Sequence, residues 1–409
     1  MRILYLSQYF PPEAGATQTR AFEMARTWVS MGHQVTMICE FPNHPSGVIP
    51  SEFRRKLFQR DDLQGIEVIR VWVKTSPEKI FRTRMLFYLS YMFMAVLAGL
   101  FLAHGPYDLI YATSPPLFSG GAGLALSFLK RIKIVFEVRD LWPESAVALS
   151  ELSNPSFIAW AEKLEAACYQ HAQVIIAVTQ GIAANLVERG LPAGKILFVP
   201  NGANLDEFSY QPQARAQWRE KLSLGETFIA IYAGIFGLAQ GLEIILQAAD
   251  RLRSRTDIHF IMVGAGPQKT AINNLSGRLA LPNVQVLPEL PRNDMPGLLS
   301  ASDIALVPLK DIELFKGALP SKIFDAWACE RPVLHTIDGE ARQLVEKAQG
   351  GVFVPPEDPV ALASQLEYLA NNRTTCEQMG ASGRAYAAKF FNRPVLAGQL
   401  MDNLEKVIR

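Results

Sequence analysis

Lys322 and Asp325 stand in the run Gly317-Ala-Leu-Pro-Ser-Lys-Ile-Phe-Asp-Ala326, which follows the short apolar stretch Ile304–Val307 and Pro308. The pattern predicts a buried strand, a loop, and a helix over Ser321–Cys329, with Lys322 in its first turn and Asp325 one turn later on a neighbouring face. A loop entering a helix presents unpaired N–H groups and the positive end of the helix dipole, an arrangement suited to a diphosphate. The Lys322 ammonium adds charge there, and the Asp325 carboxylate can accept from ribose hydroxyls. A second candidate phosphate loop is Gly234-Ile-Phe-Gly237-Leu-Ala-Gln240-Gly241, which follows the apolar run Phe228–Tyr232. Glycines between a strand and a helix let backbone amides reach a phosphate, although a plain glycine turn has the same spelling. Gly264-Ala-Gly266-Pro267 imitates a dinucleotide-binding turn, but Lys269 holds the place of its third glycine. No acidic ribose partner follows at the usual spacing, so a nicotinamide site is not expected.

The first half carries three polar segments, each directly after an apolar strand-like run. In Gln8-Tyr-Phe-Pro-Pro-Glu13-Ala-Gly15-Ala-Thr17, Gly15 allows close approach of a ligand to the backbone where a helix begins. A Pro-rich strand-to-helix turn reads identically. Glu40-Phe-Pro-Asn-His44-Pro45 lies at the same edge of the expected sheet and can shape a ligand site. There His44 is either a base or a hydrogen-bonding loop residue. In Ile134-Val-Phe-Glu-Val-Arg139-Asp140-Leu-Trp-Pro-Glu144, three charges sit just past a buried strand, where open α/β sheets bind ligands. Asp140 can accept a hydrogen bond from a ligand hydroxyl, and Glu144 can cap the next turn. Alternatively Arg139 and Asp140 pair only to fix the loop. Charges among apolar neighbours are costly to leave idle, which favours a functional role.

The elements that must position these residues alternate strand and helix. Strands are expected at Arg2–Ser7, Val35–Cys39, Val68–Val73, Leu109–Ala112, Ile134–Val138, Val174–Val178 and Ile196–Val199, with helices at Thr17–Met31, Pro116–Lys130 and Pro155–His171. After Pro200-Asn-Gly202 the chain turns polar and irregular to about Gln213, which reads as a hinge. The alternation then restarts with Phe228–Tyr232, Ile258–Val263, Val284–Leu287, Ile304–Val307, Val333–Thr336 and Gly351–Val354. This is an α/β protein with two Rossmann-like domains, and 409 residues suffice for two cores. A net charge of +1 offers no field for nucleic acid. Cys39, Cys168, Cys329 and Cys376 show no metal-ligand spacing and suit a cytoplasmic, reducing compartment.

One stretch departs from the soluble pattern. Met85–Ala103 contains no charged residue and is long enough to span a bilayer. Strand-like runs on both sides of it belong to one expected sheet, which a single crossing would forbid. The expectation is therefore a helix lying partly in protein and partly in an anionic membrane interface, on the cytoplasmic face. Arg54, Arg55, Lys56, Arg60, Lys74, Lys79, Arg82 and Arg84 precede it and can meet head groups. An ordinary core helix is the alternative.

Pro320-Ser-Lys322-Ile-Phe-Asp325-Ala326 resembles the donor-site segment of the family-4 retaining glycosyltransferases of GT-B architecture, and the likeness covers essentially the whole chain. In that family two Rossmann-like domains face each other across a cleft. The resemblance implies an acceptor-side domain at residues 1–205, a nucleotide-sugar domain at 206–390, and a last helix at 391–409 returning to the first domain. It implies that Gly15, Gly234, Gly237, Gln240, Gly241, Gly264, Gly266, Lys322 and Asp325 bind the donor. Glu13, His44 and Glu144 lie on the acceptor side, and Asp140, Arg139 and Lys322 are catalytic. Four positions depart from the family pattern: Gly317 stands at its first acid, Gln240 at its loop lysine, Arg139 at a histidine, and Ala16 at a glycine. Backbone amides and Lys322 must then neutralise more of the diphosphate. The implied activity is sugar transfer of hexosyltransferase type from a nucleotide-diphosphate donor, UDP before others, to a lipid-linked or saccharide acceptor, with no cofactor and no metal. The branch serves bacterial surface polysaccharide such as O-antigen and lipopolysaccharide, and some members transfer N-acetyl-L-fucosamine. A nucleotide-sugar epimerase of the same architecture, or a non-catalytic nucleotide-binding protein, would share most of these features.

Overall fold

The computed structural model describes residues 1–13, 15–43, 46–77 and 81–408. The chain divides into two compact units, residues Met1–Pro200 with Pro394–Arg409, and residues Asn201–Arg393.

The first unit is built on β1 (Arg2–Leu6), β2 (Gln34–Glu40), β3 (Phe58–Leu63), β4 (Ile66–Val71), β5 (Leu109–Ser114), β6 (Lys133–Val138), β7 (Val174–Ala177) and β8 (Ile196–Phe198). They form one sheet in the order β3-β4-β2-β1-β5-β6-β7-β8. All its pairings are parallel except β3 with β4. Central strands read as continuous apolar runs because helices cover both faces. The edge strand β3, Phe-Gln-Arg-Asp-Asp-Leu, has no such signature: its residues are exposed or half-buried, and charged groups suit an unpaired edge.

The last helix, Arg393–Ile408, packs into this first unit. Ala397, Leu400, Met401 and Leu404 are buried beside Met24, Ala25 and Trp28, and the Trp28 indole N–H donates to the Ala397 carbonyl at 2.9 Å. The first helix, Ala16–Ser30, thereby gains a cover on its outer side.

The charge-free segment forms the helix Phe81–Phe101. It is long and apolar enough to cross a membrane by length and composition, yet β4 and β5, which flank it in sequence, lie in one sheet. Its inner side is locked down: Tyr91 donates to the Ile38 carbonyl at 2.9 Å, and a Cβ at Gly99 would come within 2.5 Å of Leu126 on the helix Leu117–Lys130. Beyond its end, the Leu102 carbonyl accepts from Arg60 and that of Ala103 from Lys130 at 3.2 Å. Leu86, Phe93 and Phe101 remain exposed, as do Phe128 and Leu129 of the neighbouring helix.

The second unit is built on β9 (Phe228–Ala233), β10 (Ile258–Val263), β11 (Val284–Leu287), β12 (Ile304–Val307), β13 (Val333–His335) and β14 (Gly351–Phe353). The sheet is wholly parallel, in the order β11-β10-β9-β12-β13-β14, with a core on each face. Residues 201–205 belong to this unit. Ala203, Leu205 and Phe208 are buried in its core, and Ala203 exchanges backbone hydrogen bonds with Phe391 and Arg393. The irregular stretch after Pro200 is therefore packed chain, with a helix from Pro212.

Candidate functional site

In the second unit β9 lies between β10 and β12, so the connections leaving β9 and β12 part to opposite sides of the sheet. That divergence opens a crevice beyond the carboxyl ends of the two strands, the usual ligand position in such sheets. The loop Gly234–Gly241 and the helix Ser321–Ala328 both begin there.

Glycine is required in this loop for close packing. Gly234 has φ 143°, and a Cβ there would overlap the Lys322 side chain and lie 2.9 Å from its Nζ. A Cβ at Gly264, φ 145°, would overlap the Gly234 carbonyl oxygen, and one at Gly266 would lie 2.6 Å from that of Phe236. Hydrogen bonds join the two turns: Gly234 N–H to Val263, Phe236 N–H to Ala265 and Gln268 N–H to Phe236. Gly264 and Gly266 thus brace the loop after β9. Gln240 folds back over Gly237, its Oε1 occupying the space a Cβ would take.

Lys322 is held over the ring of Tyr232, with Nζ 4.7 Å from the ring centroid, and donates to its hydroxyl at 3.1 Å. That hydroxyl in turn donates to the Ile235 carbonyl. Burial pushes the Lys322 ammonium down to about 8, against the opposing pull of Asp325. No side chain caps the helix that Lys322 enters, and Pro320 precedes it in extended conformation. An ammonium, a helix start without a side-chain cap and a glycine loop therefore converge on one crevice. Sequence reading passed over Tyr232, because a tyrosine closing an apolar strand reads as core.

The first unit has its own switch point, between β1 and β5. Glu13 accepts from the Asn43 backbone N–H at 2.6 Å. Glu40 accepts from Gln8 at 2.7 Å and from the Asn43 amide at 2.6 Å. Burial, then the charge of Glu13, push the Glu40 carboxyl well above the usual carboxylate range. Gly15, φ 155°, starts the helix Ala16–Ser30, with the Gln18 side chain lying over it. His44 lies outside the described residues.

Asp140 is half-buried and accepts from Ser145 at 2.8 Å. Burial raises its carboxyl, while the Ser145 bond and the Arg139 charge oppose the rise. Arg139 also acts on Glu137, which is fully buried in β6 and accepts from Arg20, Tyr111 and Thr113. Burial alone would raise Glu137; Arg20 and Arg139 outweigh it and hold its carboxyl below its ordinary value. Glu144 heads the short helix Glu144–Ala148, without capping it through its side chain, and pairs at the surface with Arg189. Its place is with that ion pair, while its charge still reaches Asp140. Among the described residues no group of three or more His, Cys, Asp or Glu side chains converges.

Comparison with known proteins bears on this geometry. The glycosyl transferase 4-like domain model matches residues 15–202, and the glycosyl transferases group 1 model matches residues 214–386. The chain is 24% identical over 381 residues to the putative colanic acid biosynthesis glycosyl transferase WcaI of Escherichia coli K12, covering 90% of this chain and 91% of that one. It is 22% identical over 289 residues to a GDP-mannose-dependent phosphatidylinositol monomannoside mannosyltransferase of Mycolicibacterium smegmatis, covering 64% and 75%. Among solved structures, sucrose-phosphate synthase from Thermosynechococcus elongatus superposes with a TM-score of 0.77 at 21% identity, covering 99% and 98% of the two chains. Anabaena Alr3699/HepE in complex with UDP-glucose gives 0.75 at 18%, covering 99% and 100%. With both transferase domains matched in order on two doubly wound, predominantly parallel sheets, the chain belongs to the family-4 glycosyltransferases of GT-B fold.

Proposed function

We propose that this enzyme moves a sugar, with retention at the anomeric carbon, from a nucleotide-diphosphate donor to a lipid-linked or saccharide acceptor in bacterial surface polysaccharide assembly. The observation that carries the reading is the Lys322 ammonium beside the Gly234 loop and at an uncapped helix start. As the glycosidic bond breaks, charge collects on the departing diphosphate. Amide hydrogens and an ammonium already in place stabilise that charge without reorganising. In this reading Asp325, one turn on, accepts from the ribose hydroxyls. In the first unit, Asp140 orients the acceptor hydroxyl through the carboxylate that Ser145 holds. No metal ion is required in this scheme.

UDP is the carrier we favour. HepE was solved with UDP-glucose, whereas the mycobacterial relative is named for GDP-mannose, so the base is a matter for direct assay. WcaI is named for colanic acid biosynthesis, which supports a surface-polysaccharide setting. A lipid-linked acceptor is supported by the outer side of Phe81–Phe101, where Leu86 and Phe93 are exposed. Lys74 donates its backbone N–H to Ser90 on that same helix at 2.8 Å, bringing an exposed basic residue alongside. Arg54, Arg55, Lys56 and Arg82 are also exposed and can meet anionic head groups of the cytoplasmic leaflet.

Incubation with labelled UDP- and GDP-sugars and a lipid-diphosphate acceptor tests the proposal. Label should appear in the lipid product with the donor's anomeric configuration. Epimerised free donor, or tight nucleotide binding without turnover, would overturn it. Asp140→Ala should lower kcat about a hundredfold or more while donor affinity stays within about threefold.

A further inference from the structure

The Gly234–Gly241 loop carries no lysine or arginine of its own. At the position where the family resemblance leads one to expect a lysine, Gln240 turns back over Gly237. A diphosphate held there still needs charge beyond Lys322. The neighbouring strand offers one. Lys310 leaves β12 at its carboxyl end, and β12 pairs with β9. Its backbone N–H donates to the Ala239 carbonyl at 2.9 Å, inside the glycine loop.

Its side chain then runs across Gly241, where a Cβ would lie 3.2 Å from the Lys310 Cγ. Gly241 has φ 56°, a left-handed conformation that favours glycine. The same residue that closes the turn thus leaves passage for the lysine stem. The loop is flanked by a lysine at each end, Lys322 against Gly234 and Lys310 against Gly241. Among the described residues the Lys310 ammonium has neither ion pair nor hydrogen bond.

Resting on the donor site proposed above, we infer that Lys310 is the second cation of the nucleotide-diphosphate site, reaching it from β12 in place of the loop position occupied by Gln240. Lys322 and Lys310 then bracket the phosphates from the two ends of the loop. The lysine is displaced in sequence from the loop into the segment after the next strand of the sheet, and only the β9–β12 pairing brings it back.

Calorimetric titration of UDP, UMP, GDP and GMP into the wild type, Lys310→Met, Lys310→Arg and Lys322→Met tests this. For whichever base binds, Lys310→Met should weaken the diphosphate about tenfold or more and the monophosphate by less than about threefold. Lys310→Arg should retain most of the diphosphate affinity. Lys310→Met with diphosphate affinity within twofold of wild type, while Lys322→Met loses it, would overturn the inference and leave the donor site standing. Equal losses of diphosphate and monophosphate would also overturn it, since that marks damage to the loop. If neither diphosphate binds the wild type, the donor-site reading itself fails.

Discussion

Burial holds Lys322 near a protonation midpoint of about 8, with Asp325 pulling the other way. A diphosphate arriving beside Nζ stabilises the charged form and draws a proton onto it. The sign is fixed: the ammonium form binds, and it is lost as pH rises through the free-protein value. Nucleotide-diphosphate affinity should be nearly flat just below about 8 and then fall by up to about tenfold per unit above it. Calorimetry in buffers of different ionisation enthalpy should also register proton uptake above that midpoint. A flat affinity profile to about pH 9.5 would remove Lys322 from the phosphate contact. Lys322 and Asp325 were legible in the sequence because one helix turn relates them, and local geometry follows from spacing. Tyr232 and Lys310 were not, because their partners lie 90 and 71 positions away, at 322 and 239. Only the order of the strands brings such pairs together.

The two glycine turns of the second unit act as one element. The family resemblance implies donor binding for Gly264 and Gly266. The structure gives them a bracing contact on the Gly234 and Phe236 carbonyls. Gly264→Ala would place a methyl group on the Gly234 oxygen at φ 145°. It should cost roughly 2 kcal/mol or more by thermal or denaturant unfolding and weaken nucleotide binding with it. The helix Phe81–Phe101 makes a separate test, since its outer residues take no part in the core. Leu86→Glu with Phe93→Glu should reduce binding to vesicles rich in anionic lipid about tenfold or more while leaving nucleotide affinity unchanged. Vesicle binding equal to wild type would leave this helix as a protein-packing element alone. Helix and strand positions in both sheets were legible from apolar runs, with β3 the exception. Its Gln-Arg-Asp-Asp centre is chosen for an exposed edge, and hydrophobic period carries no signal there.

At the scale of the molecule, one polar cluster sits inside apolar layers and organises the first unit. Arg20 donates to Glu137 at 2.8 Å and to the carbonyls of Pro200 and Val199 at 2.8 and 3.0 Å. It therefore ties the first helix, the middle of the sheet and the end of the unit's main segment together. Arg20→Met would leave Glu137 buried beside Tyr111 and Thr113 with its main counter-charge gone. Destabilisation of about 3–5 kcal/mol is expected, read by denaturant unfolding. A double variant, Arg20→Met with Glu137→Gln, should recover part of that loss. An unchanged midpoint in the single variant would show that Arg139 suffices alone.

The Trp28–Ala397 bond and the buried face of Arg393–Ile408 have a consequence for biosynthesis. The second unit is one uninterrupted stretch of the chain, whereas the first is completed only by a segment made after it. The first unit, although made earlier, keeps Met24, Ala25 and Trp28 uncovered until that helix emerges. During translation the older half waits for the younger. A fragment ending near residue 200 would present that uncovered stripe permanently, and a synthetic peptide of residues 394–409 supplied in trans should rescue its solubility.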